Sequence, residues 1–486
     1  MKVIWDSKRN WTILLLSIVI VVMVFGQKAV APSESDMPTK IYNLDLEGIK
    51  ERGVLRAITG SNSYSYFVYK GVPMGYEYDL LKELTDHLGV ELEMVVSKNT
   101  EDFYRLLNEG KGDIIANNLI VTSDKKEKVA FTEYYNFVKQ VLIQRKPDNW
   151  WTMSKDKLDQ QLIRNPIDLI GKEVHVQKNS SYALRLQNLS QEIGGDIEIK
   201  YHPGNMPVEE LIQQVSNGMI DYTVADNNLA LMNATYFKNI DIETDISFPQ
   251  MVAWAVRKNS PELLAAINEW ILDVRKNGNY LSIYNKYFKN SKAYSIRKNS
   301  DYFSATGGSI SIYDDLIKKY AEELDWDWRL LAAMIYKESK FENSSESWAG
   351  ARGLMQLMPE TAERFGDSTL IHDPESNLRM ATNYLKTLVK FWEEIPDEEQ
   401  RIKFVLASYN VGEGHLLDAR RLADKYGKDK SIWDDNVDSF LVKKASPEFY
   451  RDEVVYNGYC RGSEPYNYVR DVLDIYKHYK EHFPAV

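Results

Sequence analysis

Glu338 is the residue of this sequence most clearly set up for chemistry. It lies in the run from Trp328 to Pro359, WRLLAAMIYKESKFENSSESWAGARGLMQLMP. Leu331, Met334, Ile335 and Phe341 recur at the spacing of one helix face, and Glu338 falls in register with Leu331, Met334 and Phe341. A carboxyl on an apolar stripe loses water. Desolvation disfavours its charged form and raises its pKa, which keeps it protonated near neutral pH and able to donate a proton. The plainer alternative is a helix-edge glutamate paired with Lys337 or Lys340.

The flanking elements must hold that acid. Asp325 or Asp327 would cap the start of its helix. After the helix comes a turn punctuated by Gly350 and Gly353, and then Leu354 to Pro359, with Pro359 and Thr361 placed to open another helix. Glycines allow backbone to approach a ligand closely. Helical period continues through 313–324, 359–365, 374–394, 398–409, 415–425 and 466–482. Upstream, from Gly53, the texture differs: strands at 54–58, 90–96 and 113–116 alternate with helices at 78–88 and 100–109, the pattern of a mostly parallel sheet. The polar stretch 291–312 between the two textures reads as a linker.

The chain has 486 residues, and on a prior of about 150 residues per domain it divides into roughly two to four units. A net charge of −11 argues against nucleic acid as a partner, since phosphate binding needs an excess of Lys and Arg. A single cysteine, Cys460, excludes an intrachain disulfide and a multi-cysteine metal site. No metal or organic cofactor is expected. At the start, Lys2, Lys8 and Arg9 precede the uncharged run Trp11 to Gly26, and Ala29-Val30-Ala31 follow. Residues 1–31 read as a cleaved export signal, with an uncleaved membrane anchor as the alternative because Pro32 follows directly. Residues 32–45 form a short linker.

The combination of Glu338-Ser339, Ser347 and Gly350-Ala351-x-Gly353-Leu354-Met355-Gln356-Leu357-Met358-Pro359 resembles the signature of the soluble lytic transglycosylase family, whose lysozyme-like domain cleaves peptidoglycan. Ala407-Ser408-Tyr409-Asn410-Val411-Gly412 is similar to a second element of that family, with Ser408 as an extra residue, and Asn467-Tyr468-Val469 to a third. The resemblance covers 313–486, with 424–461 insertion-like. It implies that Glu338 is acid and base, that Ser347, Gln356, Met358 and Tyr409 line the sugar groove, and that Tyr468 supports the glutamate from the side. By residue type alone, Met358 and Tyr409 read as core packing.

The order Gly75-Tyr76-Glu77-Tyr78-Asp79-Leu80, Gly110-Lys111-Gly112-Asp113, Thr122-Ser123-Asp124-Lys125 is similar to family 3 periplasmic solute-binding proteins. The resemblance implies a two-lobed α/β domain over 46–290, with lobe two about 147–249 and hinge crossings near Arg145 and Gln250. In that family an arginine a few residues after the Thr122 position grips the ligand carboxylate, and an aspartate at the Asp226 position takes its amino group. Lys125 stands in place of the arginine. A lysine is a point charge and not a two-pronged donor, so the expected ligand is a muropeptide or stem peptide and not a free α-amino acid. The plainer alternatives are a solvated Lys125 and an Asp226 that caps the helix after it.

Hydrolysing glycosidases generally use two carboxylates. Glu342, Glu346 and Glu413 fall neither on an apolar face nor at a fixed motif position, which leaves Glu338 alone. A lone carboxylate fits the non-hydrolytic route that the resemblance implies, cleavage between N-acetylmuramic acid and N-acetylglucosamine that ends in a 1,6-anhydro ring. The alternatives are a muramidase at the same bond and a solute receptor with a non-catalytic wall-binding module. The expected location is the periplasm, associated with a membrane: peripheral on the outer one, or anchored in the inner one if the signal is uncut.

Overall fold

A computed structural model describes residues 42–485, apart from 98, 100, 101 and 205. The expected export segment 1–31 lies outside the described residues.

In the N-terminal domain, strand Val54–Thr59 pairs in parallel with Glu91–Val96 on one side and Ile114–Ile120 on the other. Helices Tyr76–Leu88 and Asp102–Asn108 make the crossovers. Tyr76, Leu80, Leu81 and Leu84 all point into the core, so the helix covers the sheet with a stripe at 3.6-residue spacing. Strand Gln250–Val256 returns antiparallel to Ile114–Ile120 and completes this first sheet. The second sheet runs in the order Glu198–His202, Glu173–Gln177, Tyr222–Asp226, Gln140–Arg145, Ile240–Asp245. The two sheets are the two lobes.

The first crossing differs from expectation. Asn136–Val138 still pairs with Gln250–Val252 in lobe one, whereas Gln140–Arg145 already belongs to lobe two. The chain therefore crosses at Lys139 and not near Arg145. Residues 140–144 are all buried, so this central strand has no polar alternation that could reveal its sheet.

Segment 291–312 is also not a loose linker. Ser291–Lys298 is a helix packed on Asn227–Tyr236 of lobe two, with Tyr294 buried and its hydroxyl 3.3 Å from Asn233 Oδ1. Phe303 is then buried edge-on against Phe67, and the backbone runs beside the 67–69 strand: Lys70 N donates to Tyr302 O (3.0 Å) and Ser304 N to Val68 O (2.9 Å). Serines dominate the composition there, while single aromatics carry the packing.

The C-terminal domain is a helical bundle around Trp328–Ser339, whose residues from Trp328 through Ile335 are all buried. Asp327 caps it, accepting from Arg329 N at 2.9 Å. The last helix, Ser463–His482, packs along it and along Glu398–Val411. The insertion-like 424–461 contains helices Asp438–Lys443 and Pro447–Tyr450 and is pinned by buried Asp418, which accepts from Lys444 Nζ (2.6 Å) and from Tyr456 and Asn457 N (2.9 Å each).

The two domains share a packed face. Val68 of the 67–74 hairpin is fully buried in the core of the C-terminal domain. Tyr479 Oη donates to Gly71 O (2.9 Å), Tyr66 Oη and His478 Nδ1 share a hydrogen bond, and Ser61 Oγ lies 3.1 Å from His482 Nδ1.

Lobe one rests on a buried charge cluster. Asp113 accepts from the guanidiniums of Arg52 and Arg257 and from Arg56 N, and Arg257 also donates to Gly112 O. Both Asp113 and Arg257 have fully buried side chains. Asp113→Ala strands a guanidinium without its counter-charge, so it should lower unfolding free energy by about 3–5 kcal/mol. The urea midpoint of the full chain reads this, and an unchanged midpoint would show the pair is not buried in solution.

Candidate active site

Glu338 lies in the last turn of its helix, half-buried. Tyr468 reaches across from the C-terminal helix and donates its hydroxyl to Glu338 Oε1 at 2.6 Å. Burial raises the Glu338 carboxyl to a pKa of about 7, against smaller lowering effects from the Tyr468 hydrogen bond and the Lys337 charge. Lys337 itself pairs with Asp471 at 2.6 Å, so the simple edge pairing of Glu338 is not what the structure shows. Tyr468 and Tyr409 are both pushed well above their ordinary range, mainly by burial and next by the Glu338 charge. The three groups therefore form one dry cluster.

The other expected groove residues divide by what their polar atoms do. Tyr409 Oη donates to Met355 O (2.8 Å), tying its helix to the motif loop. Ser347 Oγ accepts from Ala351 N (3.0 Å) and closes the glycine turn. Gln356, held at φ 46°, donates through Nε2 to Ser345 O and Gly353 O (3.0 Å each). These three polar groups brace the loop around Glu338, whereas Met358 presents apolar surface, 38% exposed. Gly353 takes φ 79° and has Asn377 and the Ile371 carbonyl where a Cβ would stand, so only glycine fits. Asn377 was not legible in the sequence: fully buried, it accepts from Met355 N (2.9 Å) and donates to Ile371 O (2.8 Å), holding the loop from below. No motif marks it.

Among the described residues, no second carboxylate acts on Glu338. Glu342 is exposed, and Glu346 is held by Arg352 Nη2 at 2.9 Å. No group of acidic, histidine or cysteine residues among those described is arranged to hold a metal ion. What the cluster can do is donate a proton from a dry carboxyl and take one back.

A second site lies between the lobes, a cleft of about 700 Å³ lined by both Lys125 and Asp226. Asp226 stands at the start of its helix but makes no capping bond with its side chain. Oδ2 accepts from Asn118 Nδ2 (2.8 Å), and Oδ1 is buried with no partner in the chain. Burial raises Asp226 to about 7. Burial also lowers Lys125, whose Nζ reaches Ile120 O at 3.3 Å, so it is not a solvated surface charge. Tyr64 joins the lining, as do Tyr182 and Glu209, which the sequence did not single out.

A model of bacterial extracellular solute-binding proteins, family 3, matches residues 55–290, and one of the transglycosylase SLT domain matches residues 315–432. The protein named membrane-bound lytic murein transglycosylase F of Desulfosudis oleivorans is 35% identical over 428 residues, 88% of this chain and 90% of that one. The protein of the same name from Pseudomonas fluorescens strain Pf0-1 is 32% identical over 434 residues, 89% and 85% of the two chains. A solved structure of the P235GK mutant of ArgBP from T. maritima is 25% identical, with a TM-score of 0.43, and covers 51% of this chain and all of its own. With both modules matched in their order and nearly the full length of the relatives spanned, the chain belongs to the membrane-bound lytic murein transglycosylase F family.

Proposed function

We propose that this chain is a peptidoglycan lytic transglycosylase in which Glu338 is the single acid and base. The carrying observation is a carboxyl raised to about 7, hydrogen-bonded by Tyr468, with no carboxylate partner acting on it. Glu338 protonates the glycosidic oxygen between N-acetylmuramic acid and N-acetylglucosamine, and the C1–O bond breaks as the N-acetyl carbonyl of the substrate stabilises the cation. The Glu338 carboxylate then takes the proton of the C6 hydroxyl, and O6 bonds to C1. Glu338 ends protonated, and no water is consumed. Ser347, Gln356 and Tyr409 shape the groove by bracing its loop, Met358 meets sugar faces, and Tyr468 steadies the carboxylate between the two proton transfers.

We assign 46–290 to the solute-binding domain and 313–486 to the catalytic domain, with 291–312 as a packed connection between them. The cleft takes a stem peptide or muropeptide: it carries the buried acid Asp226 beside the cations Lys125 and Lys128, charges of both signs such as a peptide bears at its two ends. Ligand binding regulates turnover. Ser61, Asn62 and Tyr64 line the cleft, Ser61 and Tyr66 touch the C-terminal helix, and that helix carries Tyr468. The protein works in the periplasm at a membrane, peripherally on the outer one. In support stand the basic-apolar-small pattern of residues 1–31 and the words "membrane-bound" in the relatives' names. Among the described residues no helix is long and apolar enough to cross a membrane.

Digestion of purified sacculi should release products with 1,6-anhydro ends, one water lighter than hydrolytic products by mass; reducing muramic ends as the main product would instead indicate a muramidase. Glu338→Gln should lose at least about 10²-fold in turnover, the usual contribution of a general acid. Because the acid must enter the reaction protonated, wild-type kcat/KM should fall as pH rises through about 7. Tyr468→Phe removes a bond that favours the carboxylate, so it should move that decline to higher pH. For regulation, stem peptides are titrated by calorimetry into the full-length Glu338→Gln protein and assayed with wild type; binding that leaves turnover unchanged at saturation rejects it. N-terminal sequencing of the native protein decides its attachment, since a start at Met1 means the signal is uncut.

A further inference from the structure

The Glu338 helix leaves its last turn through a backbone that its residues do not favour. Lys340 and Phe341 both take left-handed φ, 54° and 64°, a conformation that costs any residue with a Cβ. Something outside this helix must hold the exit. Phe341 packs on Tyr336 of the same helix, ring centroids 6.0 Å apart. What covers both rings comes from the other domain.

The strands Phe67–Tyr69 and Val72–Met74 form a hairpin whose turn residues, Lys70 and Gly71, take φ 49° and 78°. Two left-handed residues in succession are the requirement of the tightest hairpin turn. A Cβ at Gly71 would stand 2.7 Å from Tyr479 Oη, 2.8 Å from Phe341 Cε2 and 2.9 Å from Tyr336 Cδ2. The Gly71 carbonyl accepts from that Tyr479 hydroxyl, and Val68 just upstream is buried in the catalytic-domain core. The tip therefore touches two helices at once. Tyr336 and Phe341 flank Glu338, and Tyr479 lies on the helix that carries Tyr468. On its other side the hairpin is held by the backbone bonds to Tyr302 and Ser304, so it is a stiff support.

We propose that the 67–74 hairpin of the solute-binding domain is a positioning element of the active site, with Gly71 clamping the exit of the Glu338 helix against the Tyr468 helix so that the two side chains meet. This rests on the reading of Glu338 as the acid. Glycine is favoured by its φ and required by the close approach of the Tyr479 hydroxyl and the Phe341 and Tyr336 rings. The titratable groups that act on Glu338 are Tyr468 and Lys337, with Tyr409 beyond, and none is on the hairpin. Any effect of the hairpin on the acid is therefore transmitted through position and water access.

Gly71→Asn in the full chain is the test, because asparagine tolerates left-handed φ and keeps the turn while its side chain wedges the clamp. On solubilised glycan strands, kcat should fall at least about tenfold with KM little changed, as small misplacements of reacting groups produce. A wetter carboxyl ionises more easily, so the alkaline decline of kcat should move to lower pH. Tyr479→Phe, which keeps the ring and loses only the bond to Gly71, should shift both in the same direction by less, and it decides the matter if Gly71→Asn fails to fold. Wild-type kcat with an unmoved pH decline overturns the proposal, and so does a raised KM at constant kcat, which would place the hairpin in substrate binding. Failure of the underlying acid assignment shows separately, as turnover by Glu338→Gln.

Discussion

Keeping one carboxyl out of water is the constraint on which this structure depends. A glutamate in solution is ionised at neutral pH and cannot protonate a glycosidic oxygen. Here burial dominates its carboxyl, with Tyr409 and Tyr468 beside it, and its hydrogen bond comes from a tyrosine whose own pKa burial pushes well up. A buried charge would need a counter-charge, whereas a buried acid needs only a neutral donor. That explains why the nearest cation, Lys337, is turned to Asp471. Asn377 and Gln356 serve the same constraint at second hand, satisfying loop backbone that has no sheet or helix to pair with.

The same logic of buried groups runs through the solute-binding domain, with opposite results at two positions. Asp113 is met by two guanidiniums and a backbone N–H. At Asp226 burial outweighs what Tyr182, Asn118 and the Lys125 charge supply, and its carboxyl is raised to about 7. The first is mortar. The second lines the cleft between the lobes.

How far the sequence revealed this depended on the range of the interactions. Glu338, its helix and the cap at Asp327 were legible because period and capping are local. The role of Tyr468 came through resemblance, since nothing local links it to a residue so far back in the chain. The first hinge crossing was misplaced because a strand buried on both faces gives no alternation to read. Segment 291–312 was misread because composition reports an average, while Tyr294 and Phe303 act singly through packing on distant elements. Asn377 and the hairpin tip at Gly71 were invisible, as each matters only through what folds against it.

The shared face between the domains also bears on how the protein acquires activity. Tyr66 and His478 are 412 positions apart, and Gly71 and Tyr479 are 408 apart, so these contacts close very long loops. Synthesis proceeds from the N-terminus, and helix Ser463–His482 is made after every other described element. That helix delivers both Tyr468 and the surface that seals the hairpin. A nascent chain thus carries Glu338 long before it carries the Tyr468 hydroxyl that bonds to it.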